Sequence, residues 1–364
     1  MRILFLNQYF PPDPAPTGIL FQEIADELEK RGHEVVLIGA AQEYRGSQGR
    51  AGRLVREFAG LGRILFRGLF CRRATVVISG SSPPCLAFVA ALVALRHRAA
   101  HLHWCMDFYP EIAVALRELR GKVAPAIVRF FMTIAYRSAR AVVGLDADMV
   151  ALLAKYRIHP LECRPWVPEP VLARMPKKKL PEPVEPWTWL YSGNLGRAHD
   201  WQTLLAAQAT LEENGVDATL VFQGGGPSRA AAVERAEELK LKRVVWRPYA
   251  PEAELCTALL KAHCLVVTEL PEVCGLLWPS KLALLLGLPR PLLFVGPKDG
   301  AIAGLLADKA HARVAASGDF RTVADWITRL RERAEALPEP AVVDIAAHRR
   351  GAIAWWVDLT ERAR

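Results

Sequence analysis

The chain has 364 residues, 52% hydrophobic and 23% charged, which is enough to bury one large core and more readily two. Its longest apolar run, Leu86 to Leu95, falls short of the ~20 residues that span a bilayer, and no small-residue cleavage site follows Met1 to Asn7. Seven cysteines without CxxC and nine histidines without HExxH exclude the familiar metal-ligand spacings and fit reduced thiols in a cytosolic protein.

In chain order, "MRILFLN" reads as a buried strand and "QYFPPDPAPTG" as a Pro-rich loop. In the helix that follows, Ile19, Ile24, Ala25 and Leu28 share one face, and Gly32 is its stop. A second strand at 35–39 completes a right-handed βαβ unit. Strands at 75–79, 100–105 and 141–145, with helices between, extend an α/β doubly wound pattern. Residues 165–186 hold seven prolines and the run Lys177-Lys178-Lys179, which reads as an interdomain linker. The alternation then restarts. Strands are predicted at "TWLYSG", "ATLVFQ", "VVWRPY", "CLVVTEL" and "PLLFVG", with helices at "WQTLLAAQATLEENG", "SRAAAVERAEELKL", "EAELCTALLKAH" and "SKLALLLG". The last helix, from Asp344, carries Trp355 and Trp356, which need a packing partner.

The net charge of +9 is unevenly placed. Residues 1–186 carry 26 Lys+Arg and 17 Asp+Glu, whereas 187–364 carry 21 of each. A basic first half points to an anionic partner. Between Arg53 and Arg73 lie six arginines and one acid. At helical spacing Arg56, Arg63 and Arg67 share one face, and Leu54, Phe58, Leu61, Leu65 and Leu69 the opposite one. Such a helix either covers the core or lies on anionic lipid, and the basic half-chain favours lipid.

Several motifs each allow two assignments. Pro279-Ser280-Lys281 opens a helix whose free N–H groups suit an anion, or is a core helix start with a snorkelling lysine. Gly193-Asn194-Leu195-Gly196-Arg197 and Gly224-Gly225-Gly226-Pro227 follow strands, and are close-approach ligand loops or tight turns. Arg197 suits bidentate phosphate binding. Asp107 and Glu111, after a strand, are a base with its neighbour or an ordinary helix start. Thr17-Gly18 is a ligand loop or a capped turn. Tyr249 faces a ligand or packs, and His103 and His199 are acid–base or ligand-contacting groups or core residues.

Taken together, "MRILFLNQYFPPDPAPTG", "GHEVVLI", "DFYPEIAVAL", "YSGNLGRAHDWQTLL", "GGGP" and "WPSKLALLLGLPRPLLFV" resemble, in order, a family 4 glycosyltransferase. The resemblance is closest to transferases of bacterial capsule and O-antigen clusters. It implies the GT-B fold: two Rossmann-like doubly wound α/β domains facing across a cleft, with the C-terminal helix crossing back. The implied division is 1–170 for the acceptor, 171–186 as linker, 187–340 for the donor and 341–364 for the returning helix. It implies a retaining, metal-independent transfer of a hexosyl group from a nucleoside-diphosphate sugar, without a cofactor. Asp107, Arg197 and Lys281 would be catalytic. Thr17, Gly18, Glu111, Gly193, Asn194, His199, Gly225, Gly226, Tyr249, Glu272, Pro279 and Ser280 would bind substrate. The sequence departs from the family where Leu284 stands in place of a ribose-holding glutamate, with Glu272 upstream.

The expected acceptor is a polyprenyl-diphosphate-linked glycan. The expected location is cytoplasmic, peripheral on an anionic membrane at the inner face of the cell membrane. A non-catalytic sugar-nucleotide or lipid-binding protein is the alternative. RNA binding is disfavoured, because the basic excess is arginine on an amphipathic helix without interleaved aromatics.

Overall fold

The structure, a computed structural model, describes residues 1–13, 15–40, 50–176, 181–332 and 343–363, with backbone alone for 50–54. The chain forms two compact units. The first comprises Met1–Pro168, Gly275–Trp278 and Ala347–Arg364. It runs β1 (Arg2–Leu6), α1 (Pro16–Lys30), β2 (Glu34–Ile38), α2 (Arg50–Phe70), β3 (Val76–Ser79), α3 (Leu86–His97), β4 (Ala100–Trp104), α4 (Glu111–Ala115), α5 (Val123–Ser138), β5 (Ala141–Gly144), α6 (Ala147–Ala154) and β6 (Leu161–Glu162). All neighbouring strands pair in parallel, in the order β2-β1-β3-β4-β5-β6. Parallel sheets are covered on both faces, so the central strands are the continuous apolar runs "ILFL" and "VVI".

Strand alternation sends Leu4 and Leu6 to one face, where Ile64 of α2 and Leu86, Ala90 and Val93 of α3 cover them. Phe5 points the other way and meets Phe21 of α1 edge-on, which in turn meets Trp104. The α2 assignment needs a correction. Phe58 is 70% exposed, and the buried stripe runs instead through Gly60, Ile64 and Gly68. Gly68 has no side chain to hold α3 off, and a Cβ there would stand 2.7 Å from Val93. Close packing at that glycine turns the helix so that Phe58 faces out. Arg53 and Leu54 lie outside the described side chains.

The second unit comprises Glu169–Cys274 and Pro279–Ala346. It contains α7 (Glu169–Leu172), β7 (Thr188–Ser192), α8 (Trp201–Glu213), β8 (Thr219–Gln223), α9 (Arg229–Glu238), β9 (Val244–Arg247), α10 (Leu255–Lys261), β10 (Cys264–Thr268), a 3₁₀ turn (Pro271–Val273), α11 (Lys281–Leu285), β11 (Leu292–Val295), α12 (Ala301–Leu306), β12 (Ala312–Ala315) and α13 (Phe320–Glu332). Its parallel sheet has the order β12-β11-β10-β7-β8-β9. Trp189, Leu204, Leu220, Val266, Leu293 and Ile327 belong to its core. The Trp189 indole donates to Gln208 at 2.9 Å, and Gln208 donates to the Ala218 carbonyl at 3.0 Å, so that buried amide is satisfied.

The final helix, α14 (Ile345–Arg362), lies almost wholly in the first unit. Trp356 is fully buried, 4.9 Å ring to ring from Trp104, and Trp355 meets Trp356 edge-on. Buried Glu23 of α1 accepts from the Trp166 indole at 2.7 Å and from Arg349 of α14 at 3.1 Å. Arg31 and His33 reach Glu361 at 3.2 and 3.0 Å.

Candidate functional site

In the second unit the chain starts at β7, grows outward through β8 and β9, then returns to place β10 on the other side of β7. That reversal opens a crevice at the carboxyl ends of β7 and β10, where α/β sheets bind ligands. Gly193 follows β7 with φ +134°, and Gly224 and Gly226 follow β8 with φ +137° and +127°. Each is held where a side chain does not fit. A Cβ on Gly224 would collide with the Gly193 carbonyl, and one on Gly226 would stand 2.5 Å from the Leu195 carbonyl. The two loops are also bonded together: Gly193 N–H donates to the Gln223 carbonyl at 2.8 Å and Leu195 N–H to that of Gly225 at 2.7 Å.

Lys281 occupies this crevice. Its ammonium lies 3.3 Å above the Tyr191 ring, and a Cβ on Gly193 would stand 3.3 Å from it. Among the described residues it is sealed from solvent and has no hydrogen-bond partner. Burial holds its pKa well below the usual lysine range. His199 sits alongside, its ring 5.6 Å from that of Tyr191. Burial first, and the Lys281 charge second, push His199 down to about 3. Its Nδ1 lies 2.7 Å from the Thr268 carbonyl at the end of β10, so Nδ1 carries the proton and Nε2 is an acceptor. A neutral imidazole, an aromatic face and a cation without a hydrogen-bond partner among the described residues make an arrangement that can accept a negatively charged ligand.

The helix start at Pro279, Ser280 and Lys281 has little dipole to add to its free N–H groups. Ser280 already has helical dihedrals and no capping bond, and α11 is only five residues long. So short a helix has too little aligned backbone for a macrodipole. What matters is where α11 delivers Lys281. Pro279 is buried and Ser280 exposed. Arg197 and Asn194 are exposed at the crevice loop, and the exposed Tyr249 hydroxyl stands 3.5 Å from Asn194 Oδ1, with its ring against Gly225. Glu272 is exposed in the 3₁₀ turn, and Leu284 is buried.

Two residues here escaped the sequence. Arg229 donates to the carbonyls of Gly224 and Arg247, stacks 5.9 Å over Trp246 and so pins the triple-glycine loop. Its signal was its place two residues after "GGGP". Glu269, directly after β10, is buried. Nothing local marks a single acid at a strand end.

In the first unit, Asp107 follows β4. The Ser81 hydroxyl accepts the N–H of both Met106 and Asp107, at 3.1 and 2.8 Å, and fixes the turn. Burial raises Asp107 to about 6. It caps nothing, since α4 starts after Pro110 without a side-chain cap. Glu111 is engaged elsewhere: its Oε1 accepts from Arg129 and the Tyr156 hydroxyl, both at 2.9 Å, and its Oε2 is buried without a hydrogen-bond partner among the described residues. His103 is a core residue. Its Nδ1 and His101 Nε2 each lie 2.9 Å from the Ser79 hydroxyl, and burial pushes both histidines down. Thr17 is inside α1, whose first flanking residue is Ala15, so it is not the cap. Gly18 is required, because a Cβ there would stand 2.5 Å from the Tyr9 carbonyl. Next to that loop a recess of about 280 Å³ is lined by Gln8 to Pro11, Asp13, Leu37, Gly39 and Arg67.

Residues 175–277 match the family described as "Glycosyl transferases group 1". No curated protein matches the chain in sequence. Among solved structures it is similar to sucrose-phosphate synthase from Thermosynechococcus elongatus, at 13% identity and TM-score 0.67, covering 100% of both chains. It is similar to Anabaena HepE in complex with UDP-glucose, at 13% identity and TM-score 0.61, covering 100% of this chain and 98% of that one. It is also similar to WaaG, a glycosyltransferase involved in lipopolysaccharide biosynthesis, at 15% identity and TM-score 0.58, covering 98% and 95%. Two six-stranded parallel sheets with surrounding helices are the two-domain GT-B fold of these structures.

Proposed function

We propose that the protein is a retaining family 4 glycosyltransferase that moves a hexosyl group from a nucleoside-diphosphate sugar to a polyprenyl-diphosphate-linked glycan in surface-polysaccharide synthesis. One observation carries this: the buried Lys281 ammonium, without a hydrogen-bond partner among the described residues, at the strand-order reversal of a unit that holds most of the glycosyltransferase group 1 match. An isolated buried cation is costly, and a diphosphate is the ligand that completes it. HepE holding UDP-glucose supports a nucleotide-sugar donor.

In this mechanism Gly193, Gly225 and Gly226 let the donor approach the backbone, with Asn194 and Tyr249 at the rim. Lys281 and Arg197 stabilise charge on the departing diphosphate, where such preset groups act most strongly. Nε2 of neutral His199 accepts a sugar hydroxyl. Asp107, held by Ser81, takes the acceptor hydroxyl's proton. Attack occurs on the leaving-group face, and these side chains supply the charge a metal would otherwise bring. The protein works in the cytoplasm against the inner face of the cell membrane; among the described residues no helix is long and apolar enough to cross it. Buried Leu284 favours a second assignment, a sugar-nucleotide-binding protein without catalysis.

A thermal-shift panel of UDP-, GDP- and ADP-glucose, followed by assay of donor hydrolysis, tests the proposal. One nucleotide sugar is expected to raise the melting temperature, since a ligand at a hundred times its Kd adds about 2.7 kcal/mol. Stabilisation without any hydrolysis or transfer would favour the binding protein, and no stabilisation by any member would contradict both.

A further inference from the structure

Helices α2, α3 and α5 form one layer, with α3 in the middle. Gly68 of α2 packs against Val93 of α3, and Phe88 of α3 meets Phe131 of α5 at 4.9 Å. The outer surface of this layer is apolar where a water-facing surface should be polar. In α5, Pro125, Met132, Ala135 and Tyr136 are buried against the unit. On the opposite side Val123, Ile127, Phe130 and Ile134 fall on one stripe and are 43% to 74% exposed. Leu95 of α3 is 75% exposed, and Phe58, Phe66 and Phe70 of α2 are exposed to a similar degree. Single exposed apolar residues mean nothing, but such a set on three adjoining helices marks an interaction surface.

Charge selects the occupant. The sequences of these helices carry eight arginines (five, one and two) against a single acid, Glu57. Arg63, Arg67, Arg96 and Arg137 are all exposed. A two-fold contact between copies of this chain would set arginines against arginines, which is unfavourable. Anionic headgroups match them, and aromatic and aliphatic tips suit the boundary below the headgroups.

We propose that the outer face of α2, α3 and α5 docks on an anionic bilayer, with the α5 stripe and the α2 phenylalanines inserted and the arginines on lipid phosphates. Resting on the proposed membrane-borne acceptor, this adds α5 as the principal apolar anchor and gives the acceptor a route. Arg67 also lines the recess beside the Gly18 loop, so a lipid diphosphate held by the bilayer meets a cation at that entrance.

The test is co-sedimentation of the full chain with vesicles of phosphatidylcholine alone and of phosphatidylcholine with phosphatidylglycerol. Wild type should bind the mixed vesicles and release in high salt. Phe130→Ser/Ile134→Ser should lower partitioning roughly tenfold or more, since two inserted apolar side chains are lost. Its melting temperature and donor affinity should not change, because both sites are exposed and lie outside the donor unit. Wild-type binding by the double variant would overturn the proposal. So would a dimer in analytical ultracentrifugation that the variant abolishes. Vesicle binding by a chain that binds no nucleotide sugar would leave docking standing and remove the transferase. Donor turnover without vesicle binding would do the reverse.

Discussion

The crevice of the second unit and the outer helix layer of the first are made of opposite materials. The crevice is mostly backbone, brought together at Gly193, Gly224 and Gly226, around one ammonium that has been taken out of water. The helix layer is all side chain, with phenylalanines and isoleucines left in water beside arginines. Among the described residues, one region buries a charge without a hydrogen-bond partner, and the other exposes apolar surface without a cover. Each is locally unfavourable in the free chain, and each becomes favourable with one kind of ligand, an anion in the first case and a charged bilayer in the second. These two departures from ordinary burial are the grounds for the two ligands proposed.

Asp107 should separate chemistry from both kinds of binding. If it takes the acceptor proton, Asp107→Asn should lower turnover by roughly two orders of magnitude while donor affinity and vesicle binding stay unchanged. Because burial raises Asp107 to about 6, wild-type turnover should fall as pH drops through that value, and the variant should lose this limb. The same raised pKa means that ionised Asp107 destabilises the fold above pH 6, so the variant should melt no lower than wild type. Near-normal turnover in a folded variant would remove Asp107 from the mechanism.

A smaller effect concerns stability against pH. Burial pushes His101 down to about 4 and His103 well below its usual value. Their pKa values are lower folded than unfolded, so their neutral state supports the fold above about 6.5 and that support is lost as pH falls through 6.5 toward 4. The slope is about 1.4 kcal/mol per pH unit for each group, partly offset by Asp107 and Asp146, whose raised values act the other way below 6. Urea unfolding between pH 7 and 4.5 should show a shallower acid decline in His103→Asn, whatever its absolute stability. An unchanged slope would mean that His103 is already charged in the fold.

The sheets were legible because buried parallel strands leave apolar runs bounded by glycine and proline, as at "ILFL" and "CLVVT". Leu161–Glu162 and Ala312–Ala315 escaped because two and four residues carry no period. Gly275–Trp278 joins the first unit through contacts distant in sequence: Phe108 N–H donates to the Leu276 carbonyl at 2.8 Å, and Gly275 packs against Asp148. No local pattern encodes that. The stripe on α5 was hidden for a different reason. Val123 to Ser138 is apolar on both faces, and periodicity alone does not say which of them the sheet covers. The motif singles out Lys281, but not the surroundings that the fold gives it. The sequence suggested a helix terminus, whereas the structure shows an ammonium on the Tyr191 ring at the reversal of strand order.

Titration calorimetry on wild type, Lys281→Ala and Lys281→Met, with UDP-glucose or whichever panel member stabilises wild type, decides whether that ammonium is the diphosphate site. A charge-assisted hydrogen bond contributes ~1.5–3 kcal/mol, so both variants should bind the donor roughly ten- to a hundredfold more weakly. The free variants should melt at or above the wild-type temperature, because each loses a buried charge that has no hydrogen-bond partner among the described residues. Unchanged affinity in variants that melt far below wild type would make Lys281 a structural residue and put the diphosphate elsewhere.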